Sequence, residues 1–133
     1  EAVRLGRALD GRGISIQAFN LLPKIAELDA ALDPALCTSV VEAHPESCFA
    51  AMAGAPLTTT KRTEAGRTER LDLLARHVAF DPVLEQRHRG AAPDDVLDAA
   101  ANLWAARRWF HGESDVLGDG ALDERGLPMR IVV

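Results

Sequence analysis

Tyrosine is absent from this chain of 133 residues, and cysteine, methionine and tryptophan each occur only twice. The two cysteines, Cys37 and Cys48, are too few for a disulfide framework and lack the spacing of a zinc site. We expect both to be small buried hydrophobic residues rather than reactive thiols. The sequence therefore excludes disulfide-stabilised secreted domains and zinc-ribbon modules.

Long apolar runs and a surplus of positive charge are also missing. No stretch approaches the ~20 apolar residues that span a bilayer, and no charged-then-apolar leader opens the chain. We therefore expect a cytoplasmic protein with no membrane partner. The formal net charge of −5 argues against broad, sequence-independent binding to nucleic acid, although a local basic groove is compatible with it.

The residues that are present have the composition of an ordinary globular protein, with 47% apolar and 26% charged residues. The length suits one domain, and no composition shift marks a boundary within residues 1–133. We predict an α/β class in which four to five helices pack with few strands. The strands are expected at about residues 38–44 and 129–133.

Helical patterns cover most of the chain. The clearest begins at Ser15, a good N-cap, and runs as an amphipathic helix to about residue 32 with Pro23 inside it. Weaker helical periodicity covers residues 1–10, and residues 80–93 are predicted to be a long polar loop. Further helices are predicted over about residues 45–54, 63–78 and 93–109.

Two of these helices have predicted buried stripes. On the helix predicted over about residues 93–109 the core stripe is Leu97, Ala101 and Trp104. On the helix predicted over about residues 63–78 the stripe includes Arg67, Leu71 and Leu74, with Thr63 as the N-cap. The segment after the last helix, residues 112–126, is rich in glycine and is predicted to be a loop.

One acidic residue interrupts the predicted strand at residues 38–44. Alternation would place Val41 and Ala43 on one face and Glu42 on the other, between valines. A buried, ionised carboxylate costs several kcal/mol, in order of magnitude, unless a cation or hydrogen-bond donors meet it. Glu42 is therefore a candidate functional residue, and a strand-end salt bridge is the alternative.

Two further acids, Asp95 and Asp98, lie one turn apart on the last predicted helix, and Asn102 continues their face. Carboxylates from a strand and a helix are suitable ligands for Mg²⁺ or Mn²⁺. We therefore predict that Glu42, Asp95 and Asp98 converge as metal ligands and catalytic residues. The alternative for Asp95 is an ordinary role in capping the helix.

The basic candidates flank the start of the helix that Thr63 would cap. Lys61, Arg62 and Arg70 are predicted to bind phosphate, because a helix N-terminus with nearby cations attracts anions. A solvated charged helix face is the alternative.

Four motifs, in this order, resemble the family described as predicted RNase H-like nucleases. They are Glu42-x-His44-Pro45-Glu46, Lys61 with Gly66 and Arg70, Asp94-Asp-Val-Leu-Asp98-Ala99, and Gly126-Leu-Pro-Met129. The Asp-x-x-Asp-Ala sequence that ends at Ala99 is also similar to the last acidic helix of Holliday-junction resolvases.

This resemblance implies an RNase H-like fold, a mixed sheet flanked by helices whose acids hold Mg²⁺ or Mn²⁺ for phosphodiester cleavage. Glu42 then takes the role of the fourth-strand acid, and Asp95 and Asp98 those of the last-helix acids. The family's leading Asp-Gly strand has no counterpart in residues 1–38. The chain thus resembles the C-terminal part of such a domain, without the first catalytic Asp, and its activity in this form is an open question.

Three functions stay open at this point. They are a metal-dependent nuclease, a non-catalytic interaction module or truncated remnant, and a phosphate-ligand binder without a metal. The predicted strand at residues 38–44 would lack a neighbour, and unpaired strand edges invite another chain. We therefore expect a homo-oligomer joined through an exposed sheet edge.

Overall fold

The computed structural model describes residues 13–77 and 89–133, together with residues 4, 7, 8 and 11. In chain order the elements are α1 (Ile16–Ala31), a 3₁₀ turn (Leu36–Thr38), α2 (Pro45–Ala53), α3 (Glu64–His77), α4 (Pro93–His111), β1 (Val116–Leu117) and β2 (Ile131–Val132). The helical pattern predicted over residues 1–10 falls largely outside the described residues, as does the predicted loop up to residue 88. The described part is mostly helical with a small sheet, in agreement with the predicted α/β class.

Helices α2, α3 and α4 pack against one another and form the core. The buried apolar side chains of this cluster are Cys48, Phe49, Met52, Leu73, Leu74, Leu97, Ala100, Ala101, Trp104, Ala105 and Val133. The predicted stripe on α4 is confirmed. On α3 the buried residues are Gly66, Arg70, Leu73 and Leu74. Of the predicted stripe, Leu74 is buried and Leu71 packs against the core, whereas Arg67 is half-buried and lies outside the apolar cluster.

The ends of the core helices follow the signals in the sequence. Pro45 occupies the first turn of α2, where its missing N–H has no intrahelical partner to lose, and Gly54 ends that helix with a left-handed φ of 73°. The Thr63 hydroxyl accepts from the backbone N–H of Gly66 at 3.1 Å, which confirms Thr63 as the cap of α3.

The predicted strand at residues 38–44 is not a regular strand. Only Ala43 pairs, through a single parallel bridge to Val132, and the Val132 N–H donates to the Glu42 carbonyl at 2.8 Å. The preceding residues turn instead: the hydroxyls of Thr38 and Ser39 donate to carbonyls three residues back, at 3.2 Å each. Such local side-chain bonds compete with a ladder.

The strand predicted at residues 129–133 is confirmed in part, as β2. Its antiparallel partner is β1, with Val116 opposite Val132 and Leu117 opposite Ile131. Because β1 lies in the segment predicted to be a glycine-rich loop, this pairing was missed. The β2 strand is buried at its end, because Val132 is fully buried and Val133 is 3% exposed.

Helix α1 confirms its predicted start at Ser15. The Ser15 hydroxyl accepts from the Ala18 N–H at 3.1 Å, and the helix continues through Pro23. It has no buried residue at all, and six large apolar side chains along it are exposed: Ile16, Phe19, Leu21, Leu22, Ile25 and Leu28. No described helix is both long enough and apolar enough to cross a membrane.

Candidate functional site

A buried arginine connects α3 to the start of α2. Arg70 is 2% exposed, and its guanidinium binds Glu46 in a bidentate pair, with Nε to Oε1 at 3.1 Å and Nη2 to Oε2 at 2.6 Å. It also donates to the carbonyls of Gly66 at 2.8 Å and Thr59 at 3.2 Å. The planar fork of arginine suits such a carboxylate, and the carbonyls satisfy donors that Glu46 does not reach.

The backbone of the loop before α3 packs directly against the first turn of that helix. A Cβ at Gly66 would lie only 2.7 Å from the carbonyl carbon of Thr60 and closer still to its oxygen, so no side chain fits there. The Thr63 hydroxyl donates to the same Thr60 carbonyl at 2.8 Å. These contacts, with the bond from Arg70 to Thr59, fix the backbone on both sides of Lys61.

Lys61 projects from this loop to α4. Its Nζ lies 2.5 Å from Oδ2 of Asp98, and the two side chains are 31% and 25% exposed. Hydrogen bonding to Asp98 is the main cause that raises the pKa of Lys61; burial opposes this rise, and the charges of Asp98, Asp94 and Glu46 add to it. The field around Lys61 is therefore negative.

The other oxygen of the Asp98 carboxylate has no partner among residues 13–77 and 89–133. This Oδ1 is buried and accepts no hydrogen bond there, and the same is true of Oδ1 of Asn102, one turn further along α4. Buried acceptors without a donor are costly, and native proteins rarely leave them so. These two oxygens can be satisfied by a cation or by a ligand that donates hydrogen bonds.

The structure separates the three predicted acids. Asp95 caps α4, because its Oδ2 accepts from the Ala92 N–H at 2.8 Å, as the alternative interpretation held. Glu42 is exposed and lines a groove of about 610 Å³ between residues of the 3₁₀ turn and the β1 and β2 region. Only Asp98 lies beside Lys61.

In the described part of the chain, no three His, Cys, Asp or Glu side chains are grouped so that they could hold a metal ion. Glu42, Asp95 and Asp98 therefore do not form the predicted three-acid group there. Mg²⁺, however, commonly uses one or two carboxylates and keeps several waters. The hard oxygens of Asp98 and Asn102, both without donors, fit such a sparse site.

The predicted phosphate-binding residues are likewise divided. Arg70 uses four of its five N–H donors on Glu46 and two carbonyls, and Lys61 is bound to Asp98. Arg62 is exposed, whereas Arg70 is buried and Lys61 is 31% exposed. A phosphate at this place would meet Arg62 first, and the N–H donors of Lys61 that do not bind Asp98 could contact it as well.

Sequence reasoning overlooked Glu46. It was read as the end of a motif, whereas the structure makes it the countercharge of the buried Arg70, 24 residues away. Its position in the first turn of a helix that starts with proline was the available signal, but a first-turn acid is ordinarily a dipole partner. Nothing in the local pattern identifies the distant arginine.

The chain belongs to the DUF429 family of proteins of unknown function, whose family model matches residues 1–122. No curated protein and no solved structure matches the chain.

Proposed function

We propose that this member of the DUF429 family is part of a divalent-metal-dependent nuclease, with Asp98 and Asn102 as the oxygen ligands of the metal. The observation that carries the proposal is the pair of buried oxygens, Asp98 Oδ1 and Asn102 Oδ1, that accept no hydrogen bond from the described residues. The nuclease class comes from the resemblance of the sequence motifs to RNase H-like nucleases. A bound Mg²⁺ or Mn²⁺ would neutralise charge on a phosphodiester and activate water.

The surrounding residues support this proposal in two ways. Asp94 adds negative charge at Lys61, beside Asp98, and negative charge favours a cation. Arg62, exposed at the start of α3, supplies a positive group at the rim for a phosphate backbone. The chain's own part is to position the metal ligands and the anionic substrate.

Metal binding is the first test. Mn²⁺ titration of the wild-type chain should give weak binding, with a Kd on the order of millimolar because few protein ligands are present. Asp98→Asn should abolish it. Asp95→Asn is the matched control, because asparagine keeps an acceptor at the cap of α4, where Oδ2 of Asp95 already binds the Ala92 N–H.

Three outcomes decide the proposal. Equal Mn²⁺ binding by wild type and Asp98→Asn would refute it. Loss of binding in Glu42→Gln would replace the site with the three-acid arrangement expected from the sequence. Cleavage of single-stranded and duplex DNA, RNA and four-way junctions is then assayed with Mn²⁺, and cleavage that survives in Asp98→Asn would also count against this site.

A second candidate function is favoured by α1. Six large apolar side chains are exposed on a helix without one buried residue, which is unusual for a monomer in water. An interaction module that forms a homodimer would cover them, together with the poorly paired segment around Ala43. Light scattering should then give about twice the 14.3 kDa of one chain. A mass of one chain at high concentration, or a dimer unaffected by Ile25→Glu, would contradict this second candidate.

A further inference from the structure

The ammonium group of Lys61 contacts one oxygen of the carboxylate whose other oxygen, Oδ1, is a proposed metal ligand. It is the one cation in the described residues that contacts this carboxylate, at 2.5 Å from Oδ2. Asp98 is also the one acceptor that the described residues provide for it, so two of its three N–H donors have no protein partner. An ammonium held by a single contact is easily exchanged.

The charges around this contact balance poorly without a further cation. Three carboxylates, those of Glu46, Asp94 and Asp98, lie near Lys61, and one of them is neutralised by Arg70. With Lys61 in place, two carboxylates share one positive charge. If Lys61 left, the same two carboxylates would match a divalent cation.

The backbone that precedes Lys61 would stay in place when the lysine side chain moves. The buried Arg70 holds the Thr59 carbonyl, and the Thr60 carbonyl packs closely against Gly66. The lysine side chain has four flexible carbon–carbon bonds and is 31% exposed, so it can swing into solvent by itself.

We propose that Lys61 is a built-in competitor for the metal: its ammonium on Oδ2 of Asp98 repels a divalent cation bound through Oδ1, and the bound cation in turn loosens the contact of Lys61 with the carboxylate. This inference rests on the proposed function, because it takes Asp98 as the metal ligand. It assigns Lys61 a regulating role at that site: the empty site is kept neutralised, and metal affinity is set partly by the strength of the lysine contact.

The test compares Mn²⁺ affinity, measured from the electron paramagnetic resonance signal of free Mn²⁺, in wild type and Lys61→Met. Removal of the competitor should tighten binding about two- to fivefold, the size expected for a partly exposed ion pair. Lys24→Met is the matched control, because Lys24 is the chain's other lysine and pairs with Glu27 on α1. It should leave the Kd unchanged.

A second measurement uses the wild-type chain. Because the chain has two lysines, acetylation by a limiting reagent, followed by mass spectrometry, reports each of them separately. Mg²⁺ should accelerate acetylation at Lys61 several-fold and leave Lys24 unaffected. This readout stays valid if Lys61→Met does not fold.

The outcomes separate the two proposals. If Asp98→Asn loses Mn²⁺ binding but Lys61→Met binds no more tightly, and Mg²⁺ leaves the reactivity of Lys61 unchanged, the inference is wrong and the metal site stands. If Asp98→Asn binds Mn²⁺ as well as wild type, the metal site itself is wrong. Tighter binding in Lys61→Met that Asp98→Asn removes supports both.

Discussion

Helices α1 and α3 have similar lengths, 16 and 14 residues, but the burial of each is the opposite of what its composition suggests. The apolar α1 buries none of its residues, whereas the charged α3 buries four, including an arginine. The difference lies in the partners available. Helix α3 meets α2 and α4, which supply a countercharge and apolar neighbours, and nothing in the described chain covers α1 to that extent.

Burial of a charged helix requires compensation at each polar group that it takes from water. Arg70 receives it from Glu46 and two carbonyls, and its guanidinium also lies 5.5 Å from the centre of the Phe49 ring. Gly66 contributes in another way, since a missing side chain lets the loop approach. The comparison therefore predicts that α3 is sensitive to small changes and α1 is tolerant of large ones.

The largest expected effect comes from removing the countercharge. Glu46→Ala leaves the buried guanidinium of Arg70 without a carboxylate and should lower the free energy of unfolding by about 3 kcal/mol. Urea denaturation measures this loss. Glu64→Ala, at an exposed acid in the first turn of α3, is the control and should cost less than about 0.5 kcal/mol.

A double variant sharpens this result. Because Arg70→Met removes the buried charge, the variant that combines it with Glu46→Ala should be more stable than the sum of the two single losses predicts. Strict additivity, or a loss in Glu46→Ala no larger than that in the Glu64 control, would mean that the pair does not stabilise α3.

A matched pair of leucines compares the two regions directly. Leu74 on α3 is fully buried and Leu28 on α1 is 56% exposed. Leu74→Ala should cost about 3 kcal/mol through lost burial and the cavity left behind, and Leu28→Ala less than about 0.5 kcal/mol. If Leu28→Ala lowered the free energy of unfolding as much as Leu74→Ala, and if this loss grew with protein concentration, α1 would be covered in an assembly.

A smaller effect, with an informative sign, is expected at Gly66. In an unobstructed helix interior, replacing glycine by alanine stabilises by roughly 0.5–1 kcal/mol. Here the added Cβ would collide with the Thr60 carbonyl, so Gly66→Ala should destabilise by about 2 kcal/mol. Thermal unfolding distinguishes the two signs, and a variant more stable than wild type would mean that the loop moves away freely.

The helices were predictable from the sequence because their signals are local. Ser15, Thr63, Pro45 and Pro93 each mark a helix start within a few residues, and the stripe of α4 repeats at helical spacing. What these signals cannot show is which face finds a partner. The exposure of α1 and the burial of Arg70 both depend on contacts between distant segments.

The strands and the site were less predictable for the same reason. Val116 and Leu117 pair with β2 across a glycine-rich stretch that resembles a loop, and residues 38–44 have strand-forming residues but only one bridge. Of the predicted acids, Asp98 contacts Lys61, a residue 37 positions away, while Asp95 serves its own helix. Spacing along a helix identified the candidates, and only the packing of the loop at residues 57–63 against α4 distinguishes between them.

The last prediction concerns Cys48 and tests whether the core formed by α2, α3 and α4 excludes water. Burial raises the pKa of this fully buried thiol above its ordinary value of 9.0, because the thiolate would lose its solvation in the core. Well below pH 9 both the folded and the unfolded chain keep the proton, and this thiol does not affect stability. Above pH 9 the unfolded chain releases it first, so the free energy of unfolding falls by at most about 1.4 kcal/mol per pH unit until the folded pKa is reached.

Cys48→Ala removes this titration. At pH 7 the variant should be less stable than wild type by about 1 kcal/mol, because the core loses the sulfur atom. That difference should shrink as the pH rises from 9 to 10.5, since only wild type loses stability through the thiol. Urea unfolding of both proteins at several pH values measures the difference, which cancels other groups that titrate in the same range. A difference that stays constant to pH 10.5 would mean that the thiol is as well solvated in the folded chain as in the unfolded one, and that the core formed by α2, α3 and α4 is open to water at this point.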